Sequence, residues 1–340
     1  MVTATNRDDA YVSQRSIYDE RYLGEQYDHR STVRVLTAER DALSEAVDRA
    51  LKSNPQAERV SLFDFGYGTG RVTNELVERY AHQYGALHKD LRVVAYDVSS
   101  VGLKKAQEAL CLTGFEPVER LAWVPESTEG YIAGSVCKKQ ADLMITVIFV
   151  HGYEGDSPEV MRQLALAAND GDRYLLTTSW YSGLGHIPGQ ELRRLYFSQL
   201  GELTHPLGEI VLAMSATGDL VDLQRTWSEK LASGHVDGFA IEVLGDVVYD
   251  TELGQSNFYH VFGTDLNDHM KAITASGQSW WVEGIRCPDE EFESRAAEQY
   301  NYQRVREANE KKRGRAWGAD DYREFHTVAA FRSPMDPMER

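Results

Sequence analysis

Three glycines stand in five positions within one short stretch of this 340-residue chain, Ser61–Arg71, which reads SLFDFGYGTGR. An apolar run is interrupted by Asp64, and Gly66, Gly68 and Gly70 follow at every second position. Glycines at the end of a buried strand let backbone N–H groups and the start of the next helix approach a ligand closely. The stretch therefore predicts a ligand-binding turn between a strand and a helix.

Two kinds of ligand use such a turn, dinucleotides and S-adenosylmethionine. The dinucleotide fingerprint G-x-G-x-x-G requires a third glycine where this chain has Arg71. The acid ahead of the glycines suits a cationic ligand better than a pyrophosphate, and the methionine end of S-adenosylmethionine carries an ammonium. We therefore expect S-adenosylmethionine as the cofactor and consider a nicotinamide oxidoreductase disfavoured. The predicted cofactor-binding residues of the turn are Asp64, Gly66, Tyr67, Gly68, Thr69, Gly70 and Arg71.

Further cofactor contacts are predicted after the next two strands. Asp97 ends an apolar run in VVAYDVSS, and Val98 follows it. A carboxylate there can accept hydrogen bonds from both ribose hydroxyls. A dinucleotide site needs the same acceptor, so Asp97 indicates a nucleoside but does not distinguish a dinucleotide from S-adenosylmethionine. In VPESTEG, Glu126 and Ser127 follow the predicted third strand, where the amino group of adenine could be recognised.

Strands that alternate with helices must position these residues. We predict strands at 59–65, 91–97, 120–125, 141–150 and 172–180, with intervening helices, one of which begins at Ser157-Pro158. A helix at 34–52 precedes the first strand, and a helix near 265–275 leads to strands at 279–286 and 323–333. The order predicts an α/β fold, a doubly wound Rossmann-like sheet of seven strands with the last antiparallel at the edge.

The regular alternation of predicted strands and helices ends after Trp180, and we expect the chain to form three structural units. Residues 1–55 would form an N-terminal helical lid, residues 56–180 and 264–340 the cofactor-binding core, and residues 181–263 an inserted α+β substrate-binding subdomain. The charged stretch 289–318 is expected to be a solvent-facing excursion.

Composition excludes several classes of partner. Lys and Arg number 36 and Asp and Glu 53, so the net charge is −17, which disfavours nucleic acid and anionic membranes and tolerates a cationic small molecule. Three scattered cysteines (Cys111, Cys137, Cys287) and scattered histidines predict no disulfide framework and no metal site. The polar first residues lack the apolar region of a signal peptide, and the apolar run at 143–150 is too short to span a bilayer. We expect a cytoplasmic monomer or homodimer.

The combined pattern FDFGYGTGR, AYDVSS, WVPEST and DLMITVIFVHGYEGDSP resembles that of class I S-adenosylmethionine-dependent methyltransferases over roughly residues 60–180. The resemblance implies their fold, S-adenosylmethionine as methyl donor and S-adenosylhomocysteine as product. Methyl transfer requires mainly that nucleophile, methyl carbon and sulfur be held in a line.

A narrower resemblance concerns the acceptor. SIYDERYLGEQYD followed by LTAERDAL, and later YFSQLGEL, VVYDTELGQSNF and WWVEGIR, are similar to segments of the histidine N-alpha-methyltransferases of ergothioneine synthesis. This implies that Tyr196 binds a substrate carboxylate, that Glu252 faces a polar or cationic substrate side chain, and that tyrosines of the N-terminal segment close over the site. These tyrosines are Tyr18, Tyr22 and Tyr27, which could alternatively form the buried face of a helix.

The chain also departs from that family. Tyr153 stands where the family has asparagine, and Gly254 near its serine. Histidine is therefore not the expected acceptor, and another amino acid, an amine or a guanidino compound fits better. Tyr153 and Tyr196 are predicted to accept hydrogen bonds from the reacting nitrogen, and His151 is predicted either as a base or as a loop histidine with an internal hydrogen bond. The alternatives are O- or C-methylation of a natural-product intermediate and a non-catalytic cofactor-binding protein.

Overall fold

The computed structural model describes residues 33–118, 121–124, 127–140, 142–153, 156–180, 183–215, 220–232, 234, 236–243, 245–250, 256–262, 266–274, 281–287 and 326–332. Its helices are α1 Val33–Ser53, α2 Thr73–Tyr84, α3 Ser100–Leu112, α4 Pro158–Ala168, α5 Gln190–Leu203, α6 Leu220–Ala232 and α7 Leu266–Thr274. Its strands are β1 Arg59–Phe65, β2 Asp90–Asp97, β3 Glu116–Pro117, β4 Tyr131–Gln140, β5 Leu143–His151, β6 Tyr174–Ser179, β7 Thr204–Ser215, β8 Gly238–Val243, β9 Asp246–Asp250, β10 Ser256–His260, β11 Trp281–Cys287 and β12 His326–Arg332.

Nine strands form one large sheet in the order β11-β12-β7-β6-β1-β2-β5-β4-β3. Strands β5, β2, β1, β6 and β7 are parallel neighbours, and β12 runs antiparallel between β7 and β11. The chain moves outward from β1 to β2 and β5, then returns to the other side of β1 with β6 and β7. The predicted doubly wound α/β sheet of seven strands is thus confirmed, and the β3–β4 hairpin extends it at one edge. The last strand, β12, is antiparallel as predicted, but the predicted edge position is wrong, because β12 pairs on both sides, with β7 and β11.

Both faces of the sheet are covered by helices because its central strands are apolar on both sides. One face packs against α1, α2 and α3 through residues such as Val47, Val77 and Leu103. The other packs against α4, α5 and α7 through residues such as Met161 and Phe197. The predicted start of α4 is confirmed, since the Ser157 side chain accepts a hydrogen bond from Val160 N.

The predicted third strand at 120–125 is wrong. Residues 121–124 run beside β4, and Ala122 N donates to Ala133 O at 2.8 Å, but they form no regular strand. Beside this stretch, β4 has a bulge at Gly134 in its pairing with β5, and a Cβ atom there would lie 2.7 Å from Leu121 Cδ2. The strand that does form here, β4, is antiparallel to β5.

Because the predicted third strand does not form, the two apolar strands that follow take positions one rank earlier among the parallel strands. Leu143–His151, predicted as the fourth strand, pairs with β2 and is third in the parallel order. The place beside β1 belongs to β6, which was predicted as the fifth strand. Since the carboxyl ends of parallel strands share one edge, the residues after β6 flank the glycine turn, and those after β5 lie beyond β2.

The region predicted as an inserted subdomain, 181–263, is divided by the structure. Thr204–Ser215 is a strand of the large sheet, so the segment with a sheet of its own begins after Ser215. Strands β8, β9 and β10 form that small antiparallel sheet, against which Leu223 and Trp227 of α6 pack. Helix α1, predicted as part of a lid, packs its buried side chains against the large sheet.

An ion pair joins α1 to the sheet. Arg49 Nε and Nη2 donate to the Glu209 carboxylate of β7 at 2.8 Å, with Glu209 almost fully buried. We expect Glu209→Gln to lower the free energy of unfolding by about 3 kcal/mol, because it removes the nearer and more buried of the two carboxylates around a half-buried guanidinium and leaves only Glu45, at 3.6 Å. Urea unfolding measures this. Glu191→Gln, which breaks the exposed pair with Arg194, is the control and should cost less than about 1 kcal/mol. Equal losses for the two variants would contradict the prediction.

Candidate active site

The glycine turn lies between β1 and α2, at the carboxyl edge of the sheet. Gly66, Gly68 and Gly70 have φ angles of 75°, 55° and 72°, in the left-handed region that favours glycine. The amides of Gly66 and Tyr67 donate to Tyr96 O of β2 at 2.9 and 3.0 Å, which holds the turn against the neighbouring strand. The turn also lies where the strand order reverses, between β1 and β6, which is the usual place for ligands in open α/β sheets.

Gly70 must be glycine for two separable reasons. Its φ is positive, and a Cβ atom would lie 2.6 Å from both Asn74 Oδ1 and Tyr67 Cε1. These two side chains are hydrogen-bonded to each other at 2.5 Å, so neither moves freely.

We expect Gly70→Ala to destabilise the protein by more than the roughly 1–2 kcal/mol that a left-handed alanine costs, because the contact adds to the backbone strain. Gly171→Ala is the matched control, since Gly171 has φ 86° and nothing lies within 4 Å of its Cβ position. Urea unfolding of both variants gives the difference. If Gly171→Ala were as destabilising as Gly70→Ala, the close contact at Gly70 would have no measurable cost.

Asp97 ends β2 beside the turn and is largely buried. Its Oδ2 accepts a hydrogen bond from Gly68 N and its Oδ1 accepts one from Ser99 N, both at 2.7 Å. The carboxylate therefore connects the middle of the glycine turn to the start of α3, where the Ser99 side chain accepts a hydrogen bond from Gly102 N. This places an oriented acid directly against the backbone of the glycine turn.

Asp64 lies in β1 just before the turn, with 1% of its surface exposed. Thr73 Oγ1 donates to its Oδ2 at 2.5 Å, and its Oδ1 has no hydrogen-bond partner among the described residues. Burial raises the pKa of Asp64 to about 7, against the effect of the Thr73 and Thr178 hydroxyls. A cation placed beside Asp64 would favour its charged form.

The other predicted turn residues lie around this pair. Tyr67 is buried, and burial raises the pKa of its hydroxyl well above the usual value. Thr69 is half-buried, and its carbonyl accepts a hydrogen bond from Asn74 Nδ2 at 3.4 Å. The carbonyl of Arg71 accepts one from Arg40 Nη2 of α1 at 2.9 Å. Helix α1 thus supports the turn from the side of the sheet that Asp64 faces.

Glu126 and Ser127 were predicted to contact adenine because they follow the predicted third strand, and that strand does not form. Ser127 lies in the loop before β4, where its Oγ donates to Glu129 O at 2.6 Å. Glu126 lies outside the described residues. The strand in third place ends at His151, so the loop beyond it occupies the edge position that 126–127 were predicted to hold.

His151 is fully buried at that strand end. Its Nε2 is 3.0 Å from Val98 O, and its ring is 5.2 Å from the ring of Tyr131. Of the two roles that the sequence left open, this geometry agrees with a histidine that makes its hydrogen bond inside the protein. It fixes the backbone of Val98, immediately after Asp97.

Tyr153 lies in the loop after β5, and Tyr196 contacts the same loop. Tyr153 N donates to Asp156 Oδ2 at 2.8 Å, and the Tyr196 hydroxyl lies 3.4 Å from Asp156 O. Tyr196 is buried on α5, and its ring is 5.5 Å from that of Phe65, the last residue of β1. Tyr18, Tyr22, Tyr27, Glu252 and Gly254 lie outside the described residues, as does the 289–318 stretch.

Sequence reasoning missed the residues that follow β6. Gly183 Cα lies 3.6 Å from the Cβ position of Gly66, and Ser179 Oγ lies 3.1 Å from that of Gly183. Both Ser179 Oγ and Trp180 Nε1 are buried without a hydrogen-bond partner among the described residues. The run of hydroxyls at Thr177–Ser179, at the end of an apolar strand, could have indicated this edge had the strand been placed beside β1.

The small sheet is attached next to this segment. His186, in the short 3₁₀ helix Gly183–His186, has its Nδ1 3.2 Å from Phe258 O of β10. Arg193 Nη2 of α5 and His260 Nδ1 lie 2.9 and 2.6 Å from Asp246 Oδ1. Burial acts to raise the pKa of Asp246, but the hydrogen bond from His260 and the charge of Arg193 hold it below the usual value. The small sheet is therefore fixed beside the carboxyl edge.

Across the ranges described, no group of three or more His, Cys, Asp or Glu side chains is arranged to hold a metal ion. Within the same ranges, every helix is too short or too polar to cross a membrane.

No protein-family profile and no curated protein matches this sequence. Solved structures do resemble it in chain course. One is the 1,6-didemethyltoxoflavin-N1-methyltransferase of Burkholderia thailandensis with bound 1,6-didemethyltoxoflavin and S-adenosylhomocysteine, at 11% identity and a TM-score of 0.47, covering 98% of this chain and 92% of that one. Another is the methyltransferase CcbJ of Streptomyces caelestis, at 15% identity and a TM-score of 0.41, covering 96% and 99%.

A third is a DhpI complex described with SAM and HEP, at 14% identity and a TM-score of 0.45, covering 96% of this chain and 100% of that one. At this level of similarity the likeness does not identify what this chain does. The functional assignment depends on the residues around the glycine turn.

Proposed function

We propose that this protein is an S-adenosylmethionine-dependent methyltransferase that acts on a small molecule and releases S-adenosylhomocysteine. The observation that carries the proposal is the shared position of Gly68 and Asp97. An amide of a three-glycine turn and an acid at the end of the adjacent strand meet at 2.7 Å, at the point where the strand order reverses. A nucleoside bound at this edge would have the glycine turn on one side and a carboxylate for its ribose on the other.

The choice of S-adenosylmethionine over a dinucleotide rests on Asp64 and Arg71. A buried carboxylate directly beneath the turn, with one oxygen lacking a hydrogen-bond partner among the described residues, repels a pyrophosphate and attracts an ammonium. Arg71 occupies the place of the third glycine of the dinucleotide fingerprint. When bound, the cofactor supplies an already activated methyl group. The chain's own contribution is to hold the donor and the acceptor in line.

For the acceptor, we propose a nitrogen of an amino acid or of a related amine or guanidino compound. The net charge of −17 is compatible with a cationic molecule. Tyr153 lies in the loop after β5, the Tyr196 hydroxyl lies 3.4 Å from Asp156 O of the same loop, and the small sheet is attached next to the segment after β6. The remote resemblance to histidine N-alpha-methyltransferases supports an amino-acid acceptor, with Glu252 and the N-terminal tyrosines as further contacts. O- or C-methylation of a natural-product intermediate is the second candidate.

Calorimetric titration tests the proposal. S-Adenosylhomocysteine should bind in the micromolar range, whereas NADH should not bind. Repeating the titration with a pool of free amino acids present should tighten binding if an amino acid is the acceptor. A methyl-transfer assay on amines, phenols and keto acids then separates the two acceptor candidates. Binding of NADH with no binding of S-adenosylhomocysteine would refute the methyltransferase proposal.

A further inference from the structure

Trp180 follows β6 immediately and is 5% exposed, yet its indole N–H has no hydrogen-bond partner among the described residues. Burying an N–H without a partner costs free energy and is uncommon in folded proteins. The indole nitrogen can only donate, so the missing partner is an acceptor. The position at the carboxyl edge beside the glycine turn indicates that a ligand supplies this acceptor.

The strand register relates Trp180 to Asp64. Asp64 of β1 pairs directly with Thr178 of β6, and Trp180 is two residues further along. Because side chains alternate along an extended chain, the indole extends from the same face of the sheet as the Asp64 carboxylate. Strands about 4.8 Å apart that rise about 3.3 Å per residue place the two Cα atoms ~8 Å from each other. Trp180 also belongs to the buried cluster that contains Tyr67 and Val72 of the turn segment.

The two groups have opposite hydrogen-bonding character. Asp64 Oδ1 is a buried acceptor and Trp180 Nε1 a buried donor, and neither has a partner at full hydrogen-bond geometry within the described residues, although the Thr178 hydroxyl acts on the Asp64 carboxylate. An α-amino acid presents the matching pair, an ammonium and a carboxylate on one carbon. We infer that Trp180 donates a hydrogen bond to the carboxylate, while Asp64 accepts one from the ammonium, of the amino-acid end of the ligand. The inference rests on the proposed function, in which that ligand is S-adenosylmethionine or its product.

Arg40 of α1, a cationic residue next to the turn, already has hydrogen-bond and ion-pair partners. Arg40 donates to Arg71 O at 2.9 Å and pairs with Glu75 at 2.5 Å. Its charge is therefore largely compensated, and the indole N–H is a neutral donor that can hold a carboxylate here. Asp64 and Trp180 thereby share the recognition of one zwitterion.

Two ligands and two variants test this assignment by calorimetry. S-Adenosylhomocysteine has both charged groups, and its decarboxylated analogue keeps the ammonium and lacks the carboxylate. Trp180→Phe removes the N–H and retains most of the ring. It should weaken binding of S-adenosylhomocysteine about tenfold, the effect of one hydrogen bond to a charged group, and leave binding of the analogue unchanged. Asp64→Asn should weaken both ligands.

Trp227→Phe is the matched control, because Trp227 is also buried but packs against Tyr249 in the small sheet. It should change neither affinity. Binding of the analogue to Trp180→Phe at the parent affinity shows at the same time that the variant is folded. Equal losses for both ligands, or no loss for either, would overturn the role of Trp180 and leave the methyltransferase proposal standing. If the parent protein bound neither ligand, the proposed function itself would fall, and the inference with it.

Discussion

Asp97→Ala is expected to weaken binding of S-adenosylhomocysteine by roughly 1.5–3 kcal/mol for each hydrogen bond lost, which is tenfold or more in Kd. Two effects act together. The ribose of the proposed ligand would lose its acceptor, and the Gly68 and Ser99 amides lose the carboxylate that holds them at 2.7 Å. The turn is then free to relax away from the geometry that a ligand needs. Calorimetric titration of the parent and the variant measures the change.

Asp90→Ala is the matched control. Asp90 begins the same strand, at the opposite edge of the sheet, and its Oδ1 also accepts a backbone hydrogen bond, from Met144 N at 2.8 Å. Its removal should cost stability through the same kind of lost contact, with cofactor affinity unchanged. Parent-like affinity in Asp97→Ala would remove Asp97 from the proposed site.

Asp64→Asn is expected to make the protein more stable than its parent as the pH rises. The folded-state pKa of Asp64 is raised by burial to about 7 from the usual 3.8. A raised carboxyl pKa means that the unfolded chain ionises first, so the parent loses stability between pH 4 and pH 7. The slope is about 1.4 kcal/mol per pH unit, and it disappears above the folded pKa. Asparagine, which does not titrate, abolishes this loss.

Urea unfolding from pH 5 to pH 8 measures the effect. The stability difference between Asp64→Asn and the parent should grow by about 3 kcal/mol up to pH 7 and then stay level. Asp268→Asn is the control: Asp268 is exposed, and its pKa is lowered by hydrogen bonding to Lys271, so its difference curve should be flat in this window. Parallel pH profiles for Asp64→Asn and the parent would show that Asp64 is ionised throughout.

The glycine turn could be predicted because its determinants are local. Residue type and spacing over Asp64–Arg71 specify a strand, a left-handed turn and a helix start without reference to distant parts of the chain. The same holds for the start of α4, where Ser157 caps the helix and Pro158 fits its first turn.

The order of the strands within the sheet could not be predicted from the sequence, because pairing between parallel strands depends on partners that are distant in the chain. Leu143–His151 and Tyr174–Ser179 are both short apolar runs, and neither contains a residue that specifies β1 or β2 as its neighbour. Misplacing them directed attention to His151 and away from Ser179 and Trp180. Strand β7 was assigned to the insertion because its alternating pattern is equally typical of a small antiparallel sheet.

The position of β12 has a consequence for how this sheet assembles. His326–Arg332 lies between Thr204–Ser215 and Trp281–Cys287, strands that precede it by long stretches of chain. During synthesis, the edge of β7 therefore stays open, with unpaired backbone donors and acceptors, until the last strand emerges and inserts. Such late, long-range pairing is slow and exposes an intermediate to association with other chains. We therefore expect a chain truncated before residue 326 to give a much lower soluble yield than the full chain, although the truncation removes none of the predicted cofactor-binding residues.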